Sequence, residues 1–147
     1  MDEIALPDAI EPTEWYVVFH MRTPLRWLRW LALGRFKHVS AFAYCPGFKA
    51  WLVYDTQLNG TRLMLLAHPA AKAALIKYTE GCEIVHMPRQ RQRIAWPSRL
   101  GFFCTPAIIH LLAVRCRVWR PDALYRHLLQ NGGKRLAGGH SPVTDRS

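Results

Sequence analysis

Between Trp15 and Ala67 the chain alternates short β-forming runs with tight-turn dipeptides. Trp15-Tyr16-Val17-Val18-Phe19-His20 is built from aromatic and β-branched residues and predicts a strand. Phe36 to Tyr44 alternates and predicts a second strand, which Pro46-Gly47 brings to a turn. Ala50 to Gln57 predicts its hairpin partner. Asn59-Gly60 then turns the chain into a further antiparallel strand over Thr61 to Ala67.

Beyond Ala67 the pattern changes. Pro69 to Tyr78 is alanine-rich and predicts a helix, and Cys82 to Met87 predicts a short strand. Helices are expected at about 105–115 and 121–130. The second opens on Pro121-Asp122 and ends at Asn131-Gly132-Gly133, a fitting C-cap. Thr23-Pro24 also resembles a helix start, with Gly34 closing the segment. Arg22, Arg26 and Arg29 fall on one side of it, and Leu25, Trp27, Leu28, Trp30 and Leu31 cover the rest. That composition suits a helix packed on its own sheet with arginines outward, which is favoured, or contact with anionic lipid. Strands come first and helices last, which predicts a single α+β domain over residues 14–133. Residues 1–13 read as a flexible acidic arm, 134–147 as a flexible tail, and 88–99 as an arginine-rich loop.

Composition sharpens this picture. The chain has 147 residues, half of them apolar, enough for one real core. No apolar run reaches membrane-spanning length, so the chain is not expected to be transmembrane. No basic-plus-apolar leader is seen, and a cytoplasmic, reducing setting without disulfides is expected. From Trp15 to His140, nineteen Lys and Arg face four acids, a formal charge of +15. Nucleic acid or an anionic surface is therefore a candidate partner, with Arg89, Arg91 and Arg93 the densest group, although a solvated basic loop is the plainer reading.

The candidate chemistry centres on Cys104. Pro106 is tolerated in the first turn of a helix, which puts Cys104 at or just before the helix N-terminus. Free N–H groups and the helix dipole there favour a thiolate. A lone cysteine in apolar surroundings is also a common core residue. His38 starts a strand whose alternate positions are His38, Ser40, Phe42 and Tyr44, and that face should meet the Cys104 helix. Asp55, on the next strand, is the sole carboxylate between residues 15 and 79. It could orient His38 while the other ring nitrogen takes the thiol proton. Tyr54 and Thr56 are the alternatives for this third position, because strand parity decides which residue faces His38. No CxxC pair and no HExxH spacing is present, so neither a metal nor another cofactor is expected. Cys45, next to Pro46, reads as a turn residue; Cys82 and Cys116 read as core.

The order of a strand-start histidine, a polar residue on the next strand and a helix-head cysteine resembles the circularly permuted NlpC/P60 group of papain-like cysteine enzymes. That group includes the lecithin retinol acyltransferase-like proteins. The stretch Phe102 to Leu129, with its second helix Pro121-Asp122-Ala123-Leu124-Tyr125, is similar to small phage-encoded members. Many relatives have a histidine in the third position and a small residue where this chain has Val39. The resemblance implies a permuted papain-like fold. It also implies a hydrolase or acyltransferase that forms a cysteine thioester from a peptide, amide or ester, with cell-wall peptide as the first substrate to consider. Catalytic Cys104, His38 and Asp55 are the corresponding site. The competing expectation is a non-enzymatic virion or assembly protein, virion-associated and bound to phage structural proteins through its basic surface.

Overall fold

Tight turns lay out the sheet, and hydrophobic alternation decides which face each strand turns to which helix. The computed structural model describes residue 12 and residues 14–22, 34–57, 59–67, 69–88 and 103–136. Six strands form one antiparallel sheet: β1 (Glu14–His20), β2 (His38–Cys45), β3 (Ala50–Gln57), β4 (Gly60–Ala67), β5 (Glu83–Pro88) and β6 (Lys134–Arg135). Their spatial order is β4-β3-β2-β1-β5-β6. Among the described residues three helices accompany them: α1 (Ala70–Thr79), α2 (Cys104–Leu111) and α3 (Pro121–Gln130). The architecture is α+β, as the sequence predicts.

Each face of the sheet carries its own core. Val17, Phe19, Val39, Ala41, Val85 and Met87 pack with Ile108 and Leu112 at α2 and with Leu124 and Leu128 of α3. The opposite face presents Tyr16, Val18, Phe42, Trp51 and Val53 to Ala71 and Leu75 of α1. Strand alternation with period two produces this division. Phe19, Phe42 and Trp51 are almost wholly buried, each worth about 2–3 kcal/mol of apolar transfer.

The entry to β2 is fixed from outside the sheet. Asp122, in the first turn of α3, accepts the Arg35 N–H at 2.9 Å and the Phe36 N–H at 3.3 Å. Its carboxylate lies so close to Gly34 that a Cβ there would stand 2.3 Å from Oδ2, and the Gly34 φ of +125° also requires glycine. Lys37 N–H then donates to the His20 carbonyl at 2.8 Å. The strand therefore begins at His38 rather than at Phe36, with the histidine held at its mouth.

Several expectations need correction. The face of β2 bearing Ser40 and Phe42 turns toward α1, while α2 covers the alternate Val39 and Ala41 face. Cys45 is the buried last residue of β2, and a short 3₁₀ turn over Pro46–Phe48 follows it. Cys82 and Cys116 are only partly buried. The chain from Lys134 is no loose tail at its start: Lys134 and Arg135 pair with His86 and Val85, and the Leu136 N–H donates to the Ile84 carbonyl at 3.0 Å. The expected arm over 1–13 (residue 12 excepted), the helix over 23–33, the loop beyond Pro88 and the tail beyond Leu136 lie outside the described residues.

Candidate active site

Cys104 is the first residue of α2, preceded by the extended N-cap Phe103. The N–H groups of Cys104 and Thr105 precede the first intrahelical bonds, and Pro106 has none. The helix therefore presents its free donors, and the positive end of its dipole, around the sulfur. Thr105, itself buried, hydrogen-bonds the Cys104 sulfur through its side chain, and the Val39 N–H donates to it from β2.

His38 meets this sulfur at the end of the sheet. Although α2 packs on the other face of β2, His38 is the strand's first residue, and its side chain comes close enough to the Cys104 sulfur there for each group to shift the other's pKa. His38 Nε2 lies 2.6 Å from Asp55 Oδ1. With Nε2 engaged by the carboxylate, Nδ1 is the ring nitrogen left for sulfur. Strand parity resolves the third position. Tyr54 is cross-strand from Ala41 and packs toward the α2 and α3 core, so Asp55 shares the His38 face. Asp55 is 6% exposed, and its second oxygen accepts from Gln57 Nε2 at 3.0 Å. Thr56 points away from Asp55, and its buried Oγ1 has no hydrogen-bond partner among the described residues.

The electrostatics follow from these contacts. Burial alone would lower the basicity of His38, but the hydrogen bonds to Asp55 and Cys104, with their charges, raise its pKa to about 9. Burial alone would raise the Cys104 pKa; the His38 hydrogen bond and charge, then the Val39 N–H and Thr105, bring it below the usual thiol value. Burial pushes Asp55 up too, and the His38 and Gln57 hydrogen bonds hold it lower than an ordinary carboxyl. The arrangement favours a thiolate beside an imidazolium, a preformed nucleophile next to a proton donor.

All three sequence-predicted site residues are thus brought together. Sequence reasoning missed Gln57, Thr105 and the Val39 N–H, and it gave no role to His20 and Cys82. His20 is cross-strand from His38, with ring centroids 5.3 Å apart. Its partners are Ser40 and Cys82. Only the register of β1 against β2 exposes that neighbourhood. Among the described residues no three His, Cys, Asp or Glu side chains gather as metal ligands, and no helix is long and apolar enough to cross a membrane. No family model, curated protein or solved structure matches the chain.

Proposed function

We propose that the protein is a cysteine hydrolase or acyltransferase with the permuted papain-like arrangement, acting on a peptide, amide or ester carbonyl. The observation that carries this reading is the buried Asp55–His38 hydrogen bond continued to a helix-head cysteine. The Cys104 thiolate attacks the carbonyl carbon, and the negative oxygen of the tetrahedral intermediate lies near the free N–H groups at the start of α2. His38 gives its proton to the departing amine or alkoxide as the carbon–leaving-group bond breaks and a thioester forms. Water, or an acceptor hydroxyl or amine, then attacks the thioester while His38 takes its proton. The thiolate leaves, and the imidazolium pair is restored. Asp55 keeps the ring oriented through both steps. Phe103, 53% exposed and adjacent to the nucleophile, gives the substrate an apolar contact. A cell-wall peptide is the first substrate to test, and a virion-associated or cytoplasmic setting fits that use.

The test is iodoacetamide alkylation at pH 6, with the modified peptide identified by mass, together with a p-nitrophenyl acetate burst. Cys104 should label well ahead of Cys45, Cys82 and Cys116, and the burst should vanish in Cys104→Ser. A folded protein whose Cys104 labels no faster than an ordinary thiol and shows no burst would sink the enzyme reading. It would leave the non-enzymatic binding protein in its place.

A further inference from the structure

Behind the site, on the α1 side of the sheet, lies a polar chain that the proposed chemistry does not use. Tyr78, on α1, donates its hydroxyl to Ser40 Oγ at 2.8 Å. Ser40 is wholly buried, and its Oγ is 2.8 Å from His20 Nε2. His20 Nδ1 is 3.2 Å from Cys82 Sγ, and that sulfur faces the carbonyl oxygens of Glu80 at 3.8 Å and Tyr78 at 4.0 Å. The His20 ring lies tilted against the His38 ring on one side and meets Tyr78 edge-on on another.

One assignment of hydrogens satisfies every group. Tyr78 O–H donates to Ser40. Ser40 therefore points its own hydrogen at Nε2 of His20. The His20 proton then sits on Nδ1 and points at Cys82, whose thiol hydrogen turns to the backbone carbonyls. A second proton on His20 would occupy Nε2 and oppose the Ser40 hydrogen, beside a hydroxyl that is itself wholly buried. From the geometry we propose that Ser40 and Tyr78 are positioning residues. They hold His20 as an uncharged ring against His38, so that the site carries a single imidazolium. The proposal takes from the proposed function only the role of His38 as the base.

The groups facing His20 agree with this. They are His38 and Ser40 from β2, Asp55 from β3, Tyr78 from α1 and Cys82 from the turn before β5. Burial first, then the charge of His38, lower the His20 pKa to about 4, and Asp55 only partly opposes them. Burial first, against the Ser40 hydrogen bond, lifts Tyr78 to about 12, so the phenol remains a donor throughout. A second cation 5.3 Å from the His38 ring would repel its proton.

Proton NMR of the histidine ring C–H signals tests this directly in the unmodified chain. His20 should show no titration above pH 5. Tyr78→Phe frees Ser40 to accept, and His20 should then titrate between pH 5 and 6.5. The alkylation profile of Cys104 should gain an inflection at that same pH, where the wild-type profile has none. Cys82→Ser keeps an acceptor at Nδ1 and should leave His20 as it was. A wild-type His20 that titrates near 6.5 overturns the proposal, and so does a folded Tyr78→Phe protein with an unchanged His20 and no new inflection. Failure of Cys104 to label at pH 6 would count against the proposed function and leave the His20 result standing on its own.

Discussion

Asp55 and Glu83 are two buried carboxylates of nearly equal exposure, 6% and 7%, set to different uses by their partners. Glu83, at the start of β5, faces two guanidinium groups and a phenol. Arg35 bonds Oε1, Arg135 lies 3.0 Å away, and Tyr125 donates to Oε2 at 2.6 Å. Burial pushes the pKa of both carboxyls up, and in both cases hydrogen bonds and charges win, leaving each pKa lowered. The difference is what the partner can give up. An arginine never releases its proton near neutral pH, so the Glu83 cluster fastens α3, β5, β6 and the segment before β2. Asp55 faces a histidine, whose proton can move, and beyond it a thiol. The same burial and charge thus serve as a fastening in one place and as proton control in the other.

The largest expected effect comes from separating Asp55 from His38. Asp55→Ala should lower turnover by about 10²–10⁴-fold, the usual contribution of a working acid–base pair. Its cost in stability should be about 1–3 kcal/mol, the range for leaving the partners of a buried acceptor unsatisfied. Asp55→Asn keeps a carbonyl acceptor for Nε2–H and should recover part of the rate. A melting curve and a p-nitrophenyl acetate assay on both variants check this. Equal loss in the two variants would show that the charge of Asp55, and not its acceptor, holds the ring.

Glu83→Gln should reverse the pattern. Removing one partner from a buried ionic cluster costs about 3 kcal/mol, at the low end because Arg35 and Arg135 are more than half exposed and can be hydrated. The Cys104 alkylation profile should not change. The acid side of the stability curve should flatten as well. A lowered carboxyl contributes stability above its unfolded pKa of 4.5 and loses it as pH falls through the folded value. Denaturant melts between pH 7 and 3 would show the loss, and a shifted alkylation profile would mean that the two regions are coupled.

The active pair has a less obvious pH signature. A raised His38 contributes stability fully present below 6.5 and lost as pH rises through about 9. A lowered Cys104 contributes stability present above 9.0 and lost as pH falls through its folded value. The two slopes oppose each other, because the proton His38 holds is the one Cys104 released. Wild-type stability should therefore vary little between pH 6.5 and 9. Cys104→Ser removes one slope and should uncover the other, so its melting temperature should fall as pH rises across that interval. A wild-type protein with the same fall would show that Cys104 keeps its proton.

The site was legible in the sequence where chemistry is local. Pro106 marked the helix start, and Asp55 stood out as a lone acid in a basic stretch. Pro46-Gly47 and Asn59-Gly60 marked the hairpin turns for the same reason, since each residue's backbone preference acts where it sits. What depended on register stayed hidden. Ser40 was visible as a neighbour of His38 along the strand, but His20 joined them only through the pairing of β1 with β2. The two-residue β6 carries no strand pattern in Lys134-Arg135. The Arg135 bond to Glu83 and the Leu136 bond to Ile84 decide its place.

The smallest effects should come from the neutral donors, and they test the comparison most closely. Tyr125 is to Glu83 what Gln57 is to Asp55: an uncharged group that donates to the buried carboxylate. Tyr125→Phe removes a hydrogen bond to a charged acceptor and should cost about 1.5 kcal/mol without changing reactivity. Gln57→Ala removes a bond of similar kind, but at a part-buried position where water can replace the amide. It should cost under about 1 kcal/mol. Its mark should appear in function instead. Losing the Gln57 donor lets the Asp55 pKa rise toward its ordinary value, which weakens its hold on His38 and shifts the acid limb of turnover upward in pH. Melting curves and a pH–rate profile on the two variants would separate them. A Gln57→Ala protein that loses stability like Tyr125→Phe and keeps its pH–rate profile would place Asp55 among the fastenings, beside Glu83.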